Sequence, residues 1–404
     1  MPKIGIFLEG TPKMGGGFFQ SLKSAMMLLN IEKYKSNIEL IITDNSAKSY
    51  FLNKNIKPKL FRSNSIQRYF SELFEIDILR DLLNKLKINH PFTKFIKKHD
   101  YDLIIFLGPS RMAKYCLDVS FVFNIWDLDH KKNTQFPEHN LNFTYEKKEK
   151  LLNEIIYRAC KIIVPHESNK NDLKDLYKIS ENLITVQNFI PMLPEIYNTG
   201  KKEKLDYNDI YKKFNLPPEK KIIFYPAQFW AHKNHKYIID AVEILKNKSN
   251  NEYFFVFCGA DKGNFSYIKK LISEKELNDY FKIIPFINDD SIISLYLNCN
   301  AVIMPTYCGP TNLPIYESFY FKKIIFYTQG LIPNDKINDR LIEIDINSPL
   351  DLYEKLSILK NKEKIDKITN DNFKFYNEVC NEDTFIRNYK KIIDDFLYVF
   401  NRWN

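Results

Sequence analysis

The chain has 404 residues, of which 45% are hydrophobic and 27% charged. That profile excludes a disordered polymer, and the length is too great for one ordinary core, so two domains are expected. Lys and Arg number 59 against 50 Asp and Glu, a net charge of +9, which suits an anionic substrate or an anionic membrane face and equally reflects a lysine-rich proteome, so charge alone decides nothing; no nucleic-acid partner is expected.

The sequence opens MPKIGIFLEG, a strand pattern from the third residue with no charged-then-apolar leader, so no signal peptide is expected. No apolar run approaches the roughly 18 residues that a membrane span needs. Short apolar runs rich in β-branched residues recur at 3–8, 38–43, 102–107, 120–126, 161–164 and 183–187. A second series follows at 221–225, 253–258, 281–285, 300–304, 323–327 and 341–345. Runs that are apolar throughout suit strands covered on both faces, and helix-length spacers between them imply βαβ units and parallel sheets. The expected fold class is therefore α/β, with two Rossmann-like doubly wound domains facing a cleft.

Residues 191–220 separate the two series. They are polar, lysine-rich and broken by Pro191, Pro194, Pro217 and Pro218, and the linker is expected near 195–205. The domains are then 1–198 and 199–381, followed by a C-terminal helix over 382–404. In that helix Phe385, Tyr389, Ile392, Phe396 and Val399 recur at three- and four-residue spacing, and the helix is expected to cross back to the first domain. Residues 76–98 form a basic amphipathic segment: Ile78, Leu79, Leu82, Leu83 and Leu86 share one helical face, and Lys94, Lys97 and Lys98 follow. It is either a helix packed on its sheet or a surface for an anionic membrane. Six cysteines lie scattered without paired spacing, as expected of reduced thiols in a cytoplasmic protein. No cluster has zinc-like spacing, so no structural metal is expected; no DxD-like carboxylate pair stands out, so a metal ion is expected to be dispensable, and no other cofactor is expected.

Three loops carry the chemistry. Glycine is scarce, with 11 in the chain, so "EGTPKMGGG" at 9–17 is informative: Gly15, Gly16 and Gly17 can let backbone approach a ligand closely. In "PAQFWAHKNH" at 226–235, Lys233 stands just before a helix, where free N–H groups and a positive dipole suit a phosphate. "PTYCGPTNLPIYESF" at 305–319 turns sharply out of a strand into a helix beginning near Ile315. Its backbone amides at Thr311, Asn312 and Leu313 can contact an anion, and the Glu317 carboxylate can accept from the two hydroxyls of a ribose. Taken singly, Lys233 reads equally as a solvated surface charge and Glu317 as a helix cap. In successive loops of one sheet they point to a nucleoside diphosphate.

"YPAQFWAHKNHKYIIDAVEILK", "VFCGA" and "VIMPTYCGPTNLPIYES", in this order, resemble the second domain of bacterial GT-B glycosyltransferases of the large retaining group that includes glycogen and sucrose synthases. "RACKIIVPHESNKNDLKDLYKISENLITVQNFIP" at 158–191 resembles the end of that family's first domain, and "WDLDHKKNTQFPEH" at 126–139 its acceptor-side histidine segment. The resemblance implies a nucleotide-sugar donor and a saccharide or lipid-linked saccharide acceptor, in the building of capsule or lipopolysaccharide. It implies Lys233 on the diphosphate, Glu317 on the ribose, Gly309, Pro310, Thr311, Asn312 and Leu313 around the diphosphate and sugar, and the Gly15–Gly17 loop against the donor. The chain departs from the family at three points. Gln228 stands where a basic residue is usual, Gly309 where a first glutamate is usual, and Trp126-Asp127 where His-Asp is usual. The first domain's catalytic role therefore falls to His130, with Asp127 as rival, and His130 reads equally as a buried structural residue. A nucleotide-sugar epimerase on the same scaffold and a non-catalytic nucleotide-sugar binder are the alternatives.

Overall fold

The computed structural model describes residues 2–402 except 55, 63–64, 203–209, 286, 310–311 and 333–335. The chain divides into two compact units. One comprises Met1–Leu128, Glu146–Ile190 and Asn381–Asn404; the other comprises Asp129–Tyr145 and Pro191–Cys380.

The first unit holds a parallel sheet of seven strands: β1 (Ile4–Leu8), β2 (Ile38–Ile42), β3 (Lys59–Leu60), β4 (Leu103–Phe106), β5 (Ser120–Asn124), β6 (Lys161–Val164) and β7 (Ile184–Val186), in the order β3-β2-β1-β4-β5-β6-β7. The second holds six parallel strands: β8 (Lys221–Pro226), β9 (Tyr253–Cys258), β10 (Phe281–Ile284), β11 (Ala301–Met304), β12 (Ile324–Thr328) and β13 (Ile342–Ile344), in the order β10-β9-β8-β11-β12-β13. Both are doubly wound orders that reverse beside the first strand. The central strands are buried on both faces, as their unbroken apolar runs require: all of β1, β4, β9 and β11 is buried. Ile6 of β1 pairs with Leu40 on one side and Ile105 on the other. Edge strand β3 has no counterpart among the expected strands. Two half-buried residues preceded by Pro58 carry no periodic signal.

Leu193–Lys202, where the linker is expected, is a helix lying on the helices Asp289–Asn298 and Leu313–Tyr320 of the second unit. Tyr197 meets Phe321 edge-on at 5.6 Å, and the Tyr320 hydroxyl donates to Asn198 at 2.9 Å. Residues 203–205 of the expected linker lie outside the described residues. Asp129–Tyr145 is the other departure in domain organisation: it leaves the chain between β5 and β6 yet packs with the second unit.

The C-terminal helix, Glu382–Phe400, packs against Gly16–Leu29 of the first unit. Phe385, Tyr389, Ile392, Ile393 and Phe396 are buried, Lys23 pairs with Glu382, and Lys33 and Tyr34 both reach Asp394. Val399, expected on the buried face, is exposed, and Ile393 takes its place. The amphipathic segment is similarly split. On the helix Asp77–Lys85, Leu83 packs against the core, while Ile78 and Leu82, with Leu86 just beyond the helix, form an outward stripe that is 81%, 51% and 61% exposed.

Candidate active site

Ligands of doubly wound sheets bind beyond the carboxyl ends of the strands where the order reverses. In the second unit that point lies between β8 and β11, and the loops leaving there run through 227–234 and 305–312. The first loop crosses close over the turn after β9. A Cβ on Gly259 would lie 2.2 Å from the Ala227 carbonyl oxygen, so the crossing is possible only for glycine. Gln228 organises this loop, its side-chain oxygen accepting the Trp230 indole N–H at 3.0 Å. A short helical turn, Ala231–Lys233, ends at Asn234 in a left-handed conformation (φ 55°), and the helix His235–Asn247 begins. His235 is a core residue: its ring lies flat on Phe229 at 4.5 Å, and burial pushes the imidazole down to about 3.

The two loops meet at Lys233, whose Nζ donates to Asn312 Oδ1 at 3.1 Å. The amide of Asn312 in turn donates to the Tyr327 hydroxyl at 2.8 Å and the Cys308 carbonyl at 3.1 Å. Asn312 is the N-cap residue of Leu313–Tyr320, yet its side chain does not cap that helix. An asparagine cap is worth about 1 kcal/mol. Here the side chain makes three other hydrogen bonds instead, one of them from Lys233.

The helix begins at Leu313, two residues before the expected start, so Glu317 lies in its second turn, beyond the reach of a dipole cap. The Glu317 side chain is 8% exposed, and the Tyr296 hydroxyl donates to its Oε2 at 2.6 Å. Burial pushes its carboxyl up to about 7, with the charge of Asp289 adding to the effect. Gly309 leaves no room for a carboxylate: a Cβ there would lie 2.7 Å from the Tyr327 hydroxyl and 2.9 Å from Leu331. Pro310 and Thr311 lie outside the described residues.

Gly15, Gly16, Gly17 and Asp127 belong to the first unit. Gly15 (φ 80°) precedes the helix Gly16–Leu29. The side-chain space at Gly17 is taken up by the Trp126 ring, which a Cβ would meet at 2.6 Å. Asp127 is exposed. His130, on the short helix Asp129–Lys132 of the second unit, is buried with its ring against Tyr145 at 5.7 Å. The two rival residues thus fall in different units.

Sequence reasoning missed Tyr296, Tyr327 and Glu138. Tyr327 carries a weak signal, since a phenol in the apolar strand run IIFYT needs a polar partner once buried. Among the described residues no group of three His, Cys, Asp or Glu is placed to hold a metal ion, and no helix is long and apolar enough to cross a membrane.

Residues 206–374 match the family model for glycosyl transferases group 1. No curated protein matches the chain in sequence. Among solved structures, sucrose-phosphate synthase from Thermosynechococcus elongatus superposes with a TM-score of 0.72 at 12% identity, over 99% of this chain and 100% of that one. Anabaena Alr3699/HepE in complex with UDP and glucose gives 0.69 at 13% identity, over 97% of this chain and 100% of that one. WaaG, a glycosyltransferase involved in lipopolysaccharide biosynthesis, gives 0.62 at 13% identity, over 96% and 99% of the two chains. The fold is GT-B. The segment of this GT-B chain that matches the family model contains Gln228, Lys233, Asn312 and Glu317.

Proposed function

We propose that the chain is a retaining glycosyltransferase that moves a sugar from a nucleoside-diphosphate sugar to an acceptor hydroxyl. The observation that carries this reading is the contact of Lys233 with Asn312, which joins the two loops at the β8–β11 reversal point beside a helix N-terminus. As the glycosidic bond breaks, negative charge grows on the departing diphosphate. The Lys233 ammonium and the amides at the start of His235–Asn247 favour that charge more than the ground state, which lowers the barrier. Glu317 accepts from the ribose hydroxyls, and His130 or Asp127 serves the acceptor side. A diphosphate leaves without a general acid, and lysine and amides take the place of a metal ion.

The acceptor is a saccharide or lipid-linked saccharide, and the product a surface polysaccharide of the capsule or lipopolysaccharide kind. The involvement of WaaG in lipopolysaccharide biosynthesis is consistent with this role. The enzyme works in the cytoplasm, resting on the anionic inner face of the membrane. The exposed stripe Ile78, Leu82 and Leu86 supports that placement, as do Lys85, Lys87, Lys94, Lys97 and Lys98 in a stretch, 82–99, without an acidic residue.

The test is purified protein incubated with a panel of nucleoside-diphosphate sugars and acceptors, with products read by mass spectrometry and anomeric configuration by NMR. An α-linked product from an α-linked donor is expected. Binding without transfer or hydrolysis of any donor would leave a non-catalytic binder. A free epimeric sugar nucleotide would mean an epimerase.

A further inference from the structure

The segment Asp129–Tyr145 runs between two strands of the first sheet but belongs to the second unit, and a carboxylate ties it there. Glu138, on the short helix Pro137–Asn140, has a side chain only 7% exposed. Its Oε1 accepts the backbone N–H of His232 at 2.9 Å and also faces the ring Nδ1 of the same residue. Its neighbours extend the clasp. The Phe136 ring meets Tyr307 at 5.1 Å, and the His139 ring stacks beside His232 at 6.2 Å. From the opposite side, the His232 carbonyl accepts the Tyr307 N–H at 2.9 Å and the Thr306 hydroxyl at 3.3 Å. His232 is therefore a junction of three segments, and Lys233 is the next residue.

The protonation states agree with this geometry. Burial works against the Glu138 carboxylate, but hydrogen bonds from His232 hold its carboxyl below the usual range. Burial, and then the charge of Lys233, push the His232 imidazole down to about 4. At neutral pH the pair is a carboxylate and a neutral imidazole with its proton on Nδ1, facing the carboxylate. A carboxylate held on the residue that precedes Lys233 works against an anion bound there. Its presence calls for a compensating gain, and the gain available is position.

We propose that Glu138 is a positioning residue: it fixes the turn that presents Lys233 and fastens the strap bearing His130 to the same turn. This rests on Lys233 being the counter-ion of the leaving diphosphate. The strap also bears on the second loop, through Phe136 against Tyr307 and through the charge of Asp129 acting on the Tyr327 hydroxyl. The turn, the strap and the Asn312 helix start are thus set together before a donor arrives.

Glu138→Gln tests it, with Lys233→Ala alongside. Glu138→Gln should lower kcat at least tenfold while its Kd for UDP, measured calorimetrically, stays within threefold. Amide exchange at 232–234 should quicken at least fivefold with UDP bound. Normal kcat, or unchanged exchange, overturns the proposal. Equal losses in kcat, UDP affinity and melting temperature also overturn it, since that pattern belongs to simple packing. Normal turnover in Lys233→Ala removes the reading on which the proposal rests, whereas an inactive Lys233→Ala with a normal Glu138→Gln sinks the proposal alone. If Glu138→Gln cannot be purified, His232→Asn keeps the backbone bond and loses the ring contact. It should show the same split between kcat and Kd at smaller size, and normal kcat in it counts against the proposal.

Discussion

Glu317 should make the second unit less stable as pH rises, the reverse of an ion-paired surface carboxylate. Its carboxyl sits at about 7 in the folded chain against an ordinary 4.5. Between those values the folded state keeps a proton that the unfolded chain has released. The stabilisation is complete below about pH 4.5, declines through the window and is gone above about pH 7. At 1.36 kcal/mol per pH unit the difference amounts to about 3 kcal/mol as an upper bound. For a unit of this size, 1 kcal/mol corresponds to about 2–4 °C in Tm. Glu317→Gln keeps the shape and the acceptor for Tyr296 but cannot ionise. Thermal unfolding of both ligand-free proteins from pH 4.5 to 8 should therefore give Tm curves that coincide at the acid end and separate by several degrees at pH 8, the variant melting higher. Asp289, pushed up to about 6 by burial and by Asp290, titrates in both proteins and largely cancels in the difference. A nucleoside diphosphate should flatten the wild-type slope, because ribose hydroxyls give the buried anion the donors it lacks. Parallel curves across the whole range would refute the reasoning, and with it the buried, proton-holding carboxylate.

Lys233→Ala should cost about a hundredfold or more in turnover and weaken UDP binding, the scale expected when a fixed charge at a developing anion is removed; near-normal turnover would take Lys233 out of the site. Transfer should proceed undiminished in EDTA, and a loss restored by magnesium or manganese would show that lysine and amides do not suffice. Gly309→Glu should destabilise by about 1–3 kcal/mol through overpacking against Tyr327 and Leu331, read as a lower urea midpoint; an unchanged midpoint would mean those side chains yield freely. Co-sedimentation with anionic vesicles should fade with salt and drop sharply in Ile78→Asp/Leu82→Asp, while no binding at low salt would remove the membrane from the picture.

The strands were legible because both sheets are covered on two faces, so runs such as Leu103–Phe106 and Tyr253–Cys258 leave little room for another reading. The two loops carrying Lys233 and Asn312 stood out because turn chemistry between a buried strand and a helix is rare and local, but the side-chain contact that joins them could not be read. What could not be read is tertiary. Nothing in the alternation of 76–86 says that Leu83 faces the core while Ile78 and Leu82 face out, since the wheel places them within one broad face. Nor does "FPEHN" announce that Glu138 will lie on a backbone N–H 94 positions away. Lysines and prolines around 191–220 read as a linker, yet Leu193–Lys202 is a helix, with Tyr197 supplying the packing that its composition hides. Nor does the glycine run reveal that a side chain at Gly17 would meet Trp126, more than a hundred residues away.

The return of Glu382–Phe400 to the first unit has a consequence for the order in which the molecule can be made. The first sheet is complete once residue 186 is synthesised, but the helix that buries Phe385, Tyr389, Ile392 and Ile393 arrives about two hundred residues later. At about 5–20 residues per second, Gly16–Leu29 waits for its partner for roughly ten to forty seconds with apolar surface uncovered. The second unit, closed at Cys380, can finish first. A released chain ending at Cys380 should therefore hold a folded second unit and a first unit whose Gly16–Leu29 face is still open to chaperones. The half that is begun first is completed last.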